Sequence, residues 1–223
     1  MQTISKQKFH LGADLGRERD YSALALIDTH LLPKDERDPS TFNWITEWRF
    51  NIVHLERIPL GNSYVDVASY ISDLLHQYPL ARNSHLVFDA TGGGLTFYDL
   101  LRTKIIPAKI RAVTFTGTGD PRQDGDRWWI PKSLMLAHLH TLFATGHLHI
   151  SSHLPLAERL LEELSSLQLR FTSSGHDTYE PDSSSKHDDL AMATALAAFF
   201  PVHSNSSIFP RLKGFHPNLG PYQ

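Results

Sequence analysis

The sequence predicts an α/β fold, a mixed β-sheet flanked by helices. Three observations predict it: two strand-length apolar runs joined by a short polar link at the start, alternating helical and strand patterns through the middle, and an Ala-rich helix near the end. The chain has 223 residues, and single hydrophobic cores stop growing only beyond about 250. We therefore expect one domain over residues 1–202 and a loosely packed C-terminal tail over 203–223, where three Pro and two Gly fall.

Residues 9–15 (FHLGADL) form a short, largely apolar run with Asp14 near its end, and residues 22–28 (SALALID) form a second. The polar, glycine-containing link GRERDY makes the two read as a hairpin. Residues 42–58 are rich in β-branched and aromatic side chains and predict a third extended stretch, preceded by a charged, Pro-containing surface loop at 35–40. Tyr64, Val67, Ala68, Ile71, Leu74 and Leu75 then recur at helical spacing, and Pro79 closes that helix. A buried strand at 85–90 (HLVFDA) leads through Thr91-Gly92-Gly93-Gly94 into a helix that reaches Arg102, and residues 110–116 predict another strand.

Beyond a polar loop holding Trp128 and Trp129, Pro131 opens a helix with Leu134, Leu136, Leu139 and Leu142 that stops at Gly146. A short strand at 148–151, a helix at 155–165 and a late hairpin of 167–172 with 178–180 follow. A Ser-rich loop precedes HDDLAMATALAAFF, a helix ended by Pro201, on which Asp189, Ala193, Leu196 and Phe200 share one inward face.

Composition narrows the function. Hydrophobic residues at 41% and charged residues at 20% permit a real core. No apolar run approaches the roughly 20 residues of a bilayer span, and the polar start MQTISKQK has no signal-peptide core, so a cytoplasmic protein is expected. The absence of Cys excludes disulfides and thiolate metal sites and leaves carboxylates and His as the strong ligands. A net charge of −3 argues against a protein that coats nucleic acid by bulk electrostatics. It is compatible with an enzyme that concentrates acids at its site.

Asp14 and Asp89 lie at the ends of two strands, so both carboxylates can emerge from one edge of the sheet. Facing carboxylates repel unless a cation lies between them, and Mg²⁺ suits oxygen ligands. Taken singly, each reads equally well as a turn or cap residue. Asp188-Asp189 opens the last helix, where one Asp would serve as a cap; two adjacent acids exceed what a cap requires. Asp189 is the better ligand candidate, because its face turns inward, while Asp188 caps or takes that role instead.

These acids and their surroundings resemble the nuclease domain of phage terminase large subunits. The resemblance rests on GADLGRERDYSALALID (12–28), VFDATGGG (87–94), PKSLMLAHL (131–139) and HDDLAMATALA (187–197), in order over nearly the whole chain. It implies an RNase H-like fold and two-metal phosphodiester hydrolysis of double-stranded DNA with Mg²⁺ or Mn²⁺, held by Asp14, Asp89 and one or both of Asp188 and Asp189. It also implies a phage or prophage origin and packaging partners: an ATPase motor, a portal, a small terminase subunit. This sequence has no G-x-x-x-x-G-K-[ST] phosphate loop, so the motor lies elsewhere. Many members of that family carry Asp where this chain has Met192.

Other residues have two readings each. Lys132, opening its helix, could neutralise phosphate or be a solvated lysine; Arg17 and Arg19 could hold the DNA backbone or only solvate their link. His187 could orient a ligand or water. Gly92, Gly93 and Gly94 could expose N–H groups to phosphate or supply a turn. Trp128 and Trp129 read as packing under their loop rather than base stacking. His138, His140, His147, His149 and His153 lack a zinc spacing. An actin-like ATP-binding enzyme, a junction resolvase or transposase core, and a non-catalytic DNA-binding module are the rival readings.

Overall fold

The computed structural model describes residues 7–16, 20–171, 177–181 and 188–203. Strands β1 (Lys8–Asp14), β2 (Ser22–Arg37) and β3 (Trp44–Ile58) come first. Then follow α1 (Tyr64–His76), β4 (Ser84–Asp89), α2 (Gly94–Arg102), β5 (Ala108–Thr116), β6 (Arg122–Asp124), β7 (Arg127–Pro131) and α3 (Lys132–Ala144). The chain continues through β8 (Leu148–Ile150), α4 (Ala157–Ser166), β9 (Leu167–Phe171), β10 (Asp177–Pro181) and α5 (Asp189–His203).

Eight strands form one sheet in the order β6-β7-β5-β4-β1-β2-β3-β8, and β9 and β10 pair separately. Only β2 and β6 run against the other strands of the large sheet. This is the mixed sheet that the pattern predicts.

Side chains alternate across the strands, so each strand serves both faces. Phe9, Leu11 and Ala13 of β1 join Leu86 and Phe88 of β4 in a core with Val67, Ile71 and Leu75 of α1 and Phe97 and Leu101 of α2. On the opposite face, Ala23, Ala25, Ile27, Val87 and Val113 pack with α3, α4 and α5. Asp14 and Asp89, in phase with His10 and Val87, belong to that second face.

Four expectations need correction. The loop expected at 35–40 begins inside β2, which runs on to Arg37 because cross-strand pairs sustain the ribbon: Lys34 Nζ lies 3.1 Å from Glu47 Oε2, and Arg37 lies over the Trp44 ring. The polar loop expected around Trp128 is instead the edge hairpin β6–β7, turning at Gly125 with φ +58°. Pro201 lies within α5 and does not end it; burial of Phe199, Phe200 and His203 carries the last turn past the missing N–H. Finally, α5 is buried around its whole circumference and has no single inward face, as befits a helix apolar all round. The tail beyond His203 lies outside the described residues.

Candidate active site

β1 and β4 are adjacent and parallel, with Ala13 opposite Phe88, so Asp14 and Asp89 stand side by side one residue further on. Neighbouring strands are about 4.8 Å apart. Asp14 also pairs with Ala23 of β2, and Ala23 with Arg57 of β3. The row Asp89, Asp14, Ala23, Arg57 therefore crosses four strands on the α5 face. Both Asp14 and Asp89 are half-buried.

α5 delivers the remaining acids. Its backbone comes so close to β1 that any Cβ on Gly12 would strike the Ala193 carbonyl oxygen; only glycine admits the helix there. This approach brings Asp188 and Asp189, at the helix start, over the row. The Asp188 carbonyl accepts from Met192 N–H at 2.8 Å as the first turn closes. Met192 itself is buried in the core.

The acids sense one another. Burial, then Asp89, Asp189 and Asp188, push the Asp14 carboxyl well above its ordinary range, and Lys132 draws it partly back. Burial likewise raises Asp89, against the hydrogen bonds from Thr91 and the charge of Lys132. Thr91 N–H donates to Asp89 Oδ1 at 2.7 Å, while Thr91 Oγ1 accepts from Phe115 N–H, tying this turn to β5. A Cβ on Gly94 would strike the Asp89 carbonyl oxygen, which accounts for a glycine there. Gly92 has φ +59°, the turn conformation that was one of its two readings.

Lys132 Nζ lies 3.7 Å from Asp188 Oδ2. It opens α3 directly after β7, at the same carboxyl edge of the sheet. Asp189 Oδ2 lies 3.4 Å from Arg57 Nη2. Among the described residues, no three acidic or imidazole groups close into a ready-made metal cage. Asp189 leans to Arg57, Asp188 to Lys132 and Asp89 to Thr91, while all three act electrostatically on Asp14. Such a set suits a hydrated hard cation, since Mg²⁺ keeps several waters and takes one or two carboxylates with substrate phosphate. The raised Asp14 and Asp89 carboxyls are what a divalent cation would return to the charged form.

Arg17, Arg19 and His187 lie outside the described residues. Trp128 is buried against Phe200, while Trp129 is flanked by Arg122 and Arg127 at the sheet edge. His138 packs between Phe50 and Phe199 and hydrogen-bonds the Ala198 carbonyl, and His147 bonds Thr145 Oγ1. Sequence reasoning missed Arg57 and Glu163, which form an ion pair of 2.7 Å beneath Asp189. The signal was present: Arg57 is in phase with inward Leu55, and Glu163 neighbours Leu160 and Leu164 on the buried face of α4.

No known family profile and no curated protein matches the chain in sequence. Solved structures do. The large terminase nuclease from thermophilic phage G20c, in a crystal structure with bound magnesium, aligns with a TM-score of 0.57 at 22% identity over 86% of this chain and 81% of that one. The same nuclease with bound cobalt gives 0.56 at 22% identity, with the same coverage. The large terminase nuclease domain of Thermus phage P74-26 gives 0.52 at 19% identity over 92% of this chain and 85% of that one. At these identities the likeness is one of architecture, and the chain has the RNase H-like fold of large terminase nuclease domains.

Proposed function

We propose that this chain is a divalent-metal-dependent endonuclease that hydrolyses phosphodiester bonds of double-stranded DNA, the cutting activity of a phage-type packaging system. The observation that carries the reading is the meeting of four acids from three elements: Asp14 and Asp89 at neighbouring strand ends, Asp188 and Asp189 at the start of α5. The magnesium- and cobalt-bound states of the G20c nuclease support a divalent cation here.

Asp14 and Asp89 would hold the cation from the sheet, and Asp189, with Asp188 beside it, from the helix. When two Mg²⁺ or Mn²⁺ ions are bound, they supply activation of the attacking water and stabilisation of the leaving oxygen. Lys132, at the rim with 42% of its side chain exposed, is placed to meet a phosphate. Arg17, Arg19 and His187 remain candidates for the DNA backbone and for orienting a ligand or water. Residues 1–202 form the catalytic domain in this reading, with 203–223 as its tail. ATP-driven translocation is supplied outside these 223 residues, which contain no phosphate loop, and a separate ATPase motor, a portal and a small terminase subunit are the candidate protein partners. The work takes place in the bacterial cytoplasm where phage DNA is packaged.

Incubating supercoiled plasmid with the protein and Mg²⁺ or Mn²⁺ tests the proposal. Nicked and linear DNA should form only with metal, and Asp14→Asn and Asp89→Asn should each lower the rate at least a hundredfold, roughly 3 kcal/mol in the barrier. Equal cleavage by the variants, or none by the wild type, would sink it.

A further inference from the structure

Two charged side chains lie beneath Asp189 without a part in the reading above. Glu163 is 1% exposed on the inward face of α4, where an unpaired carboxylate would be strongly disfavoured. Its Oε2 accepts the Ala191 N–H at 2.9 Å, capping the first turn of α5 from another helix. Its Oε1 meets Arg57 Nη2 at 2.7 Å and Arg159 Nε at 3.3 Å.

Arg57 Nη2 also reaches Asp189 Oδ2 at 3.4 Å, and its guanidinium lies 5.5 Å from the centre of the Tyr21 ring. With only 17% of its side chain exposed, Arg57 is too enclosed to grip a DNA phosphate. It shares the cross-strand row of Asp14, with small Ala23 between them.

We infer that Arg57 is a positioning residue: anchored on Glu163, its guanidinium holds one oxygen of Asp189 and leaves the other toward the Asp14–Asp89 pair and a divalent cation bound there. A structural ion pair needs only Arg57 and Glu163; the contact to Asp189 links that pair to the site. The inference rests on the metal-dependent reading.

Charge and position make opposite forecasts. An arginine that only neutralised the acids would repel a divalent cation, so its removal would tighten binding. An arginine that positions Asp189 weakens binding when lost, by roughly 10- to 100-fold for comparable partners of metal ligands.

Mn²⁺ binding to the full chain without DNA, by titration calorimetry, distinguishes them, with thermal unfolding followed in parallel. The variants are Arg57→Lys and the double variant Arg57→Gln/Glu163→Gln. The double variant removes both charges of the Arg57–Glu163 pair together, and its new amide oxygen can still accept the Ala191 N–H. Arg57→Lys keeps a cation opposite Glu163 and serves as the test should the double variant not fold.

The dissociation constant should rise roughly tenfold or more in the double variant and several-fold in Arg57→Lys. Unchanged or tighter binding in a folded variant overturns the positioning role. Asp14→Asn separates the two levels. If it loses the ion while the Arg57 variants keep it, the positioning role falls alone. If it binds Mn²⁺ as the wild type does, or the wild type binds none, the metal reading falls and the positioning role with it.

Discussion

The Asp14 carboxyl is pushed up by burial and by three neighbouring acids, so at neutral pH, where the unfolded chain has it ionised, this group works against folding. Asp14→Asn should therefore raise the melting temperature in chelator at pH 7, by about 2–4 °C for each kcal/mol relieved in a chain of this size. In millimolar Mn²⁺ the order should reverse, because only the wild type gains binding energy from the ion. Thermal unfolding with and without Mn²⁺ checks both halves, and a wild type that stays the less stable of the two would contradict the prediction. Asp14 and Asp89 were legible as candidates because each ends an apolar strand-length run. Arg57 and Glu163 were not, since 106 residues separate them and no local motif joins them. What the chain did offer was a pair of charges in phase with buried neighbours, a pattern that becomes meaningful only once β3 and α4 are known to face each other.

Among the elements, α5 and β1 depend on each other through Gly12. A methyl group there must push the Ala193 carbonyl away, and overpacking of this kind costs roughly 1–3 kcal/mol. Gly12→Ala should lower the urea midpoint accordingly and weaken Mn²⁺ binding too, because Asp189 retreats with its helix. A variant that loses stability but binds Mn²⁺ normally would show that the acids do not need this contact. Most elements were readable from periodicity: β1, β4 and the first half of β2 are short apolar runs, and α1 repeats its inward residues at helical spacing. The β6–β7 hairpin was hidden because β6 is exposed throughout and lies at the sheet edge, where no apolar alternation is required. Its Asp124-Gly125 turn was the one local sign. The single inward face assigned to α5 failed for the opposite reason: sheet, α3 and α4 surround the helix, and every side became an inner one.

At the scale of the whole molecule, burial leaves four histidines neutral among the described residues: His10 is held well below its ordinary value of 6.5, and His85, His138 and His203 lie at about 4. Unfolded, each would take up a proton near pH 6.5. Their contribution to stability is therefore complete above that pH and is lost as pH falls toward 4. Asp14, Asp89 and Glu163, raised by burial, act in the opposite sense, so a single histidine is best read by difference. His138→Phe preserves ring packing beside Phe50 and Phe199 and removes one such proton. Between pH 6.5 and 4 its stability should fall less steeply than that of the wild type, by about 1.4 kcal/mol per pH unit at most. Urea midpoints across that range measure the difference, and parallel curves would refute it.

The complete burial of α5 bears on how the site can be switched. Amide protons along such a helix exchange with solvent chiefly when the whole domain opens, because no partial opening exposes it without dismantling the sheet contacts on every side. Asp188 and Asp189 start that helix, so half of the acidic set is assembled at the moment of folding and dispersed only with it. In the proposed function, control over cutting would act on what reaches the acids, DNA or cation, because the helix that carries two of them is buried on every side.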